Sequence, residues 1–298
     1  MTEFEGVKET RKAGKILKKA LDLGEKIAKP GMKLEELADK IESFIRDEGG
    51  EPAFPANLDV NEVAAHYTPK LNDPLTVPEK ALLKIDLGVH VDGYVTDAAR
   101  TVDFSGEWGK LIEATDQALE NAVSMAKPGI EVSLIGKEIE DTILKYGFKP
   151  LENLGGHGIG RWVVHQSPSI PNIHARTGEV IPENSVIAIE PFATNGFGRA
   201  VEAADTEIYD LLDPDANARS KEARKVIELA RKYNGLPFAK RWVEGEFTPM
   251  GLKRAFKELE QRNALRGYPA LVEKGRGMVS QSEASLLVFE DHVELVWE

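Results

Sequence analysis

The chain has 298 residues, of which 42% are hydrophobic and 30% are charged, and its formal net charge is −12. This length suits one large α/β domain or two smaller domains, and the acidic balance argues against a nucleic-acid surface as the main function. Cysteine is absent, which excludes disulfides, thiolate metal sites and a cysteine nucleophile. Because the N-terminus has no apolar signal region and no apolar run matches a membrane span, we expect a cytoplasmic protein.

The first elements along the chain are predicted from a repeated segment. Residues 28–52 align without a gap on residues 126–150. Each copy predicts a helix, a Pro-Gly turn, a second amphipathic helix with one apolar stripe, and then strands. A further match, between residues 77–86 and 181–190, leads each copy into an apolar strand that ends on an acid. We therefore expect two related halves packed about a pseudo-two-fold axis.

Residues 82–104 predict a β-hairpin with an Asp-Gly turn at positions 92–93, a strong two-residue turn signal. This turn places Asp86 opposite Ala99, and Asp97 lies two residues from Ala99 on the same strand. Because side chains alternate along a strand, Asp86 and Asp97 share one face as diagonal neighbours, roughly 7–8 Å apart. Side chains at that spacing can converge on two metal ions, although isolated acids in such a pattern are more often ordinary polar-face residues.

The remaining part of the chain predicts added helices and further strands. Residues 210–266 are highly charged and predict an inserted helical subdomain. Because no low-complexity segment or flexible linker is present, a single catalytic domain spanning residues 1–298 is favoured. The chain then returns to strands, and Glu283 is predicted in the first of them. Its small and polar neighbours fit an exposed strand position equally well.

Metal-binding side chains are spread over these predicted elements. Glycines on both sides of His157 leave its imidazole reachable, and Glu190 ends an apolar strand where an unpaired carboxylate is costly. The full candidate set is Asp86, Asp97, His157, Glu190 and Glu283. Four negative charges balance two divalent cations, and oxygen and nitrogen ligands suit Mn, Fe(II), Co or Zn. On pattern alone, His157, His165 and His66 are each more often structural than catalytic.

Four motifs resemble the methionine aminopeptidases, in particular the type II branch found in archaea. They are AFPANLDVNEVAAHYTP (53–69), KIDLGVHVDGYVTDAART (84–101), NLGGHGIGRWVVH with SIPN and AIEPFAT (153–194), and QSEASLLV (281–288). The resemblance covers essentially the whole chain and implies the pita-bread fold of creatinases and aminopeptidases, with pseudo-two-fold halves. It implies a metalloprotease that removes the N-terminal methionine from nascent proteins, using a hydroxide that bridges two divalent metal ions.

The resemblance also implies how the metal ions are held. Asp97 and Glu283 would bridge them, Asp86 would complete one site, and His157 and Glu190 would complete the other. Glu190 would also shuttle the proton of the attacking hydroxide. The motif departs from the family after the last ligand, where many members have Glu-His-Thr and this chain has Glu-Ala-Ser at positions 283–285.

Further residues of the family site are implied around the metals. His165 would hydrogen-bond the scissile carbonyl oxygen as charge develops on it, and His66 would contact the scissile nitrogen and help it leave. The methionine pocket would use side chains that could equally be plain core: Phe54, Val164 and Tyr268, with Phe192 as a weaker candidate.

Two other functions fit parts of the sequence. A prolidase or another Xaa-Pro peptidase shares the fold, but such enzymes usually carry a large domain for which Asp86 comes too early. A non-catalytic pita-bread protein that binds ribosomes or RNA is a different class, and such relatives have lost metal ligands that this chain keeps. We expect a monomer that acts on nascent polypeptide N-termini, with the ribosome as a candidate partner, no membrane contact and no direct nucleic-acid role.

Overall fold

The structure, a computed structural model, describes residues 4–298. The first half begins with two helices and continues into five strands: α1 (Val7–Ile27), α2 (Leu34–Asp47), β1 (Glu51–Pro52), β2 (Asn57–Val60), β3 (Val63–Ala65), β4 (Leu82–Val91) and β5 (Tyr94–Asp103). The second half again places two helices before its strands: α3 (Gly109–Met125), α4 (Val132–Lys145), β6 (Lys149–Pro150), β7 (Gly155–Gly160), β8 (Val163–Pro171), β9 (Ser185–Ile189), β10 (Phe192–Thr194) and β11 (Ala200–Leu211). The last part contains α5 (Lys221–Ala230), β12 (Phe238–Ala239), α6 (Arg241–Glu244), α7 (Pro249–Gln261), β13 (Leu265–Glu273), β14 (Val279–Gln281), β15 (Ala284–Val288) and β16 (Val293–Leu295).

The two helix pairs repeat in structure as they do in sequence. α2 and α4 each span 14 residues, and Gly31 and Gly129 in the turns before them have φ angles of 81° and 80°. Glycine adopts this left-handed conformation without steric cost. The Gly31 N–H donates to the Val77 carbonyl over 2.8 Å, and the Gly129 N–H donates to the Ile181 carbonyl over the same distance. The predicted relation between the halves is therefore confirmed at the level of the backbone.

Each half buries the apolar stripe of its helices in a core of its own. In the first half, Leu37 and Ile41 of α2 are fully buried in a cluster with α1 and β4. In the second, Ile135 and Ile139 of α4 are buried in a cluster that includes β9. Fully burying a side chain of this size stabilises the fold by about 1.5–3 kcal/mol. None of the helices within residues 4–298 combines the length and apolar character needed to cross a membrane.

The hairpin formed by β4 and β5 has the predicted register. Asp86 pairs with Ala99, and Gly88 pairs with Asp97. The turn residues at positions 92 and 93 have φ angles of 52° and 85°, as an Asp-Gly hairpin turn requires. Asp86 and Asp97 are therefore diagonal neighbours on one face of the hairpin, as predicted.

The charged helices α5 to α7 lie between β11 and β13 and have their own core, which includes Val226 and Phe256. A buried ion pair joins them to the first half: Arg241 of α6 donates to the Glu42 carboxylate of α2. The helices begin later than position 210, because β11 extends to residue 211 and α5 begins at residue 221. That these helices form an inserted subdomain of one catalytic domain stays a prediction.

Candidate metal centre and peptide cavity

One cavity of about 380 Å³ lies between the two halves and is lined by every side chain predicted as a site residue. The first half supplies two acids from neighbouring strands, Asp86 on β4 and Asp97 on β5. The second half supplies His157 from β7 and Glu190, which directly follows β9. Residues far apart in the chain therefore meet at one point.

Three of these side chains form the centre of the cluster. Asp97, His157 and Glu283 each offer a ligand atom, and these atoms all lie within 4.8 Å of one another. The His157 Nε2 atom lies 3.7 Å from Asp97 Oδ2 and 3.8 Å from Glu190 Oε1. These separations are too long for hydrogen bonds and leave space between the side chains.

Glu283 reaches the cluster from a position other than the predicted one. It lies between β14 and β15, and not within a strand. Its backbone N–H donates to the Ala99 carbonyl on β5 over 3.0 Å, and Ala284 begins the pairing of β15 with β9. The prediction of a strand was wrong at this residue, because a hydrogen bond to another strand sets its conformation. This connection carries Glu283 from the first-half hairpin to the second-half sheet.

The acids of the cluster are held in surroundings that disfavour their charged forms. Burial raises the pKa of Asp86 to about 6. Burial, followed by the charge of Asp86, raises the pKa of Asp97 well above its ordinary value. Burial and neighbouring acids also raise the pKa values of Glu190 and Glu283. All four carboxylates are thus penalised by lost hydration, and Asp97, Glu190 and Glu283 also by like charge, and a bound cation would offset these penalties.

His157 is oriented so that one ring nitrogen faces the acids. Its Nδ1 atom lies 3.2 Å from the carbonyl oxygen of Gly158. Because a carbonyl can only accept, Nδ1 carries the proton and Nε2 presents its lone pair to the cluster. Burial lowers the pKa of His157 to about 4, which keeps the ring neutral. A neutral imidazole held by a backbone carbonyl is the usual form of a metal-ligating histidine.

The residues fit a divalent metal ion. Two buried carboxylate oxygens, Asp86 Oδ1 and Asp97 Oδ1, have no hydrogen-bond partner among residues 4–298. The other oxygen of Asp86 accepts a long bond of 3.4 Å from Gln281 Nε2. Buried carboxylate oxygens are rarely left unpaired. Oxygen donors with one imidazole suit Zn, Mn, Fe or Co.

Three supporting residues were missed in the sequence. The Ser285 hydroxyl accepts from the Asp97 N–H and donates to the Asp97 carbonyl, both over 2.8 Å, which fixes the Asp97 backbone. Asn57 lines the cavity and pairs with Asp86 across β2 and β4, and Gln281 binds Asp86 directly. All three lie within the motifs quoted above, but polar residues beside an acid carry no distinct pattern. Their roles depend on strand pairing.

The two further histidines lie on the cavity wall. The His165 ring is exposed, and its centre lies 4.1 Å from that of His157. Burial of the ring against its neighbours, followed by the charge of His157, lowers the pKa of His165. His66 has a φ of 66°, and its ring meets the edge of Tyr268 with the ring centres 5.9 Å apart. Burial lowers the pKa of His66, while a hydrogen bond to the Pro269 backbone opposes that shift.

The predicted pocket side chains also line the cavity. Phe54 and Val164 are 7% and 5% exposed, and the weaker candidate Phe192 is 1% exposed. The Phe54 ring occupies the space above Gly88, where an added Cβ atom would lie 2.3 Å from the ring. Gly88 is therefore needed for the Phe54 ring to reach the cavity next to Asp97. The apolar side chains form one wall and the metal-binding set forms another.

Comparison with known proteins identifies the family. The model of metallopeptidase family M24 matches residues 8–230. The chain belongs to this family. Membership of a metallopeptidase family implies that this M24 chain uses a divalent metal, in agreement with the acidic cluster and its unpaired oxygens.

Several relatives of this M24 chain match over nearly their whole length. It is 49% identical over 288 residues to a protein named methionine aminopeptidase from Pyrococcus horikoshii, a match that covers 96% of this chain and 97% of the relative. It is 41% identical over 297 residues to a protein of the same name from Methanocaldococcus jannaschii, covering 98% and 99%. The predicted family is therefore confirmed.

Solved structures share the fold at low sequence identity. A thermophilic Arx1 superposes with a TM-score of 0.84 at 16% identity, covering 99% of this chain and 91% of that one. A methionine aminopeptidase from Thermotoga maritima superposes with a TM-score of 0.71 at 22% identity, covering 98% and 96%. A prolidase from Pyrococcus horikoshii gives 0.64 at 19% identity, and the match covers 63% of its length. The expected pita-bread fold is confirmed for this M24 chain.

Proposed function

We propose that this M24 metallopeptidase is a methionine aminopeptidase, which hydrolyses the bond after the N-terminal methionine of nascent proteins. The observation that carries the proposal is the buried acidic and histidine cluster that opens into an apolar cavity. Relatives that carry this name and match the whole chain at 41–49% identity support it. A metal site beside an apolar pocket suits a peptide whose first side chain is apolar.

In this proposal the cluster holds two divalent ions, and five side chains are their ligands: Asp86, Asp97, His157, Glu190 and Glu283. Four carboxylates balance the charge of two divalent cations. When bound, the ions supply a water of lowered pKa and polarise the scissile carbonyl. Which of Co, Mn, Fe(II) and Zn is bound depends on the availability of each metal in the cell as well as on these ligands.

The chain's own residues would then orient the peptide and move protons. Glu190, at the edge of the cluster and 14% exposed, accepts the proton of the attacking water and passes it on. His165, exposed to the cavity beside His157, donates a hydrogen bond to the carbonyl oxygen as negative charge develops. His66, on the opposite wall beside Tyr268, contacts the scissile nitrogen and assists its departure.

The apolar wall of the cavity would hold the methionine side chain. Phe54, Val164 and Tyr268 supply this wall, and each lines the same cavity as the acids. Burying an apolar side chain against them stabilises the bound peptide by about 25 cal/mol for each Å² of apolar surface removed from water. We also propose a preference for a small second residue.

The proposed substrate indicates where in the cell the protein would act. A nascent N-terminus is met in the cytoplasm, and the ribosome that carries it is the proposed partner. We propose that the chain acts as a monomer, because both halves of the cavity come from one chain.

The test is hydrolysis of Met-Ala-Ser and Ala-Pro by the purified chain, with and without added Mn²⁺ or Co²⁺. We expect cation-dependent release of methionine from Met-Ala-Ser and little cleavage of Ala-Pro. Preferential cleavage of Ala-Pro would favour a prolidase. Metal binding without cleavage of either peptide would favour a non-catalytic protein of the same fold.

A further inference from the structure

The cavity wall that carries Tyr268 is built by two paired strands of the last part of the chain. β11 and β13 pair so that Ile208 faces Tyr268 and Asp210 faces Arg266. Ile208 and Tyr268 line the cavity, whereas Asp210 and Arg266 are outside the lining. Because side chains alternate along a strand, the charged pair lies on the same face as the apolar pair, two residues further along the ladder and outside the cavity lining.

Asp210 binds the hydroxyl of Tyr268 from a position beside the cavity lining. Its side chain is only 5% exposed. Its Oδ2 atom accepts a hydrogen bond from the Tyr268 hydroxyl over 2.9 Å and an ion-pair hydrogen bond from Arg266. The Arg266 guanidinium also lies over the Tyr268 ring, 5.1 Å from its centre. Tyr268 is thus held at its hydroxyl by one charged group and at its face by another.

The same ring is in contact with a proposed catalytic histidine. The edge of Tyr268 meets His66 at an interplanar angle of 84°. The backbone carbonyl of the next residue, Pro269, accepts a hydrogen bond from the His66 ring. β13 also pairs with β3, which ends directly before His66. The position of Tyr268 therefore affects both the apolar wall and the ring of His66.

We infer that Asp210 is a positioning residue that makes the first-residue pocket selective for apolar side chains, an inference that rests on the proposed function. By binding the only polar atom of the Tyr268 side chain outside the cavity lining, it leaves an apolar ring facing the peptide. Without this acceptor the hydroxyl has to find another partner, and the cavity that Tyr268 lines offers one place for it to turn. A buried hydroxyl without a partner costs about 1–3 kcal/mol, so the ring would turn toward water.

The test is a double-mutant cycle on Asp210 and Tyr268, with kinetics on Met-Ala-Ser and on Gln-Ala-Ser, whose first side chain is polar and similar in length. We expect Asp210→Ala to raise KM for Met-Ala-Ser about 10-fold, with a smaller change in kcat, and to reduce the preference for methionine over glutamine. In a Tyr268→Phe background no hydroxyl needs a partner, and the same substitution should change KM less than about 2-fold. An equal effect in both backgrounds would overturn the inference.

Two controls separate positioning from general damage. Asp210→Asn retains an oxygen that can accept from Tyr268, so we expect KM within about 3-fold of wild type. An increase in KM equal to that of Asp210→Ala would overturn the inference. The Asp210→Asn variant also keeps the inference testable if Asp210→Ala does not fold. Asp103→Ala removes hydrogen bonds to the backbone of residues 105–108, away from the cavity, and should lower Tm without changing KM.

The outcomes for the two proposals are distinct. A wild-type chain that does not cleave Met-Ala-Ser with added Mn²⁺ or Co²⁺ overturns the proposed function and, with it, the role of Asp210. A wild-type chain that does cleave it, combined with a KM penalty that persists in the Tyr268→Phe background, overturns only the role of Asp210.

Discussion

The two halves of the chain share a backbone plan but use equivalent positions differently. Glu42 on α2 and Glu140 on α4 are aligned in the repeat. Glu42 is 2% exposed and binds Arg241 and the indole N–H of Trp242 from the helical insertion. Glu140 is partly exposed and accepts one hydrogen bond, from the His174 N–H. The same turn chemistry builds both halves, and the same residue type contacts the helical insertion in the first half but a loop backbone in the second.

The halves also differ in how they reach the cavity. The first half presents Asp86 and Asp97 from one continuous hairpin. The second half gathers His157, Glu190 and Glu283 from three segments that only the sheet brings together. One contribution is local in sequence and the other is long-range. Both are required if the site binds metal as proposed.

The largest effect is expected where the two halves meet. Replacing Asp97 with Ala removes a carboxylate shared by the cluster, so we expect kcat/KM to fall at least about 10³-fold, or about 4 kcal/mol, and bound metal to decrease. Peptide hydrolysis and elemental analysis of the same preparation measure both. Asp103→Ala, on the same strand but outside the cavity lining, is the matched control. An Asp97 variant with near-wild-type activity would refute a ligand role.

The next effect concerns the aligned glutamates. Glu42→Ala leaves Arg241 buried without its main partner, which costs about 3–5 kcal/mol. Glu140→Ala loses one hydrogen bond at a partly exposed site and should cost about 1 kcal/mol or less. Urea unfolding of both variants gives the difference directly. Equal losses would show that the insertion does not depend on the first-half glutamate.

A smaller effect is expected for His66, the proposed catalytic histidine on the cavity wall. His66→Ala should lower kcat about 10²-fold, as loss of a proton-transferring group does, while bound metal stays at the wild-type level. His66 is separate from the metal-binding group of Asp97, His157 and Glu283. His90→Ala is the control, because His90 packs on Trp162 and is outside the cavity lining. A metal-depleted His66 variant would mean that its role is misassigned.

The smallest effect distinguishes two kinds of buried glutamate. Glu42 binds the Arg241 and Trp242 side chains, whereas Glu273 accepts from several backbone N–H groups, among them those of Gly198 and Gly277, each over 2.9 Å. Burial raises its pKa, but these donors outweigh burial and lower the pKa of Glu273 below its ordinary value. A lowered pKa stabilises the fold above the unfolded-state pKa of about 4.3, and this stabilisation is lost as pH falls through the folded-state pKa.

Glu273→Gln should therefore cost about 1–3 kcal/mol at pH 7 and less at pH 3. Urea unfolding at the two pH values measures the change. A cost that is independent of pH would contradict a role for the charge of Glu273.

The sequence predicted what local patterns determine. The shared face of Asp86 and Asp97 followed from the period of a strand and an Asp-Gly turn, and the register is as expected. The conformation of Glu283 was not predictable, because it depends on a hydrogen bond to Ala99 from a distant strand. These two long-range side-chain pairs were also out of reach, since Asp210 and Tyr268 are 58 residues apart and Glu42 and Arg241 are 199 apart. Such contacts leave no periodic pattern in the chain.

The most direct measurement is a crystal structure of the purified chain, determined from crystals soaked in Mn²⁺, with the ions located by anomalous scattering. We expect two ions in the cavity, each coordinated by ligand atoms from the five-residue set of Asp86, Asp97, His157, Glu190 and Glu283. Ions bound elsewhere, or a cavity without Mn²⁺ in an active preparation, would contradict the assignment.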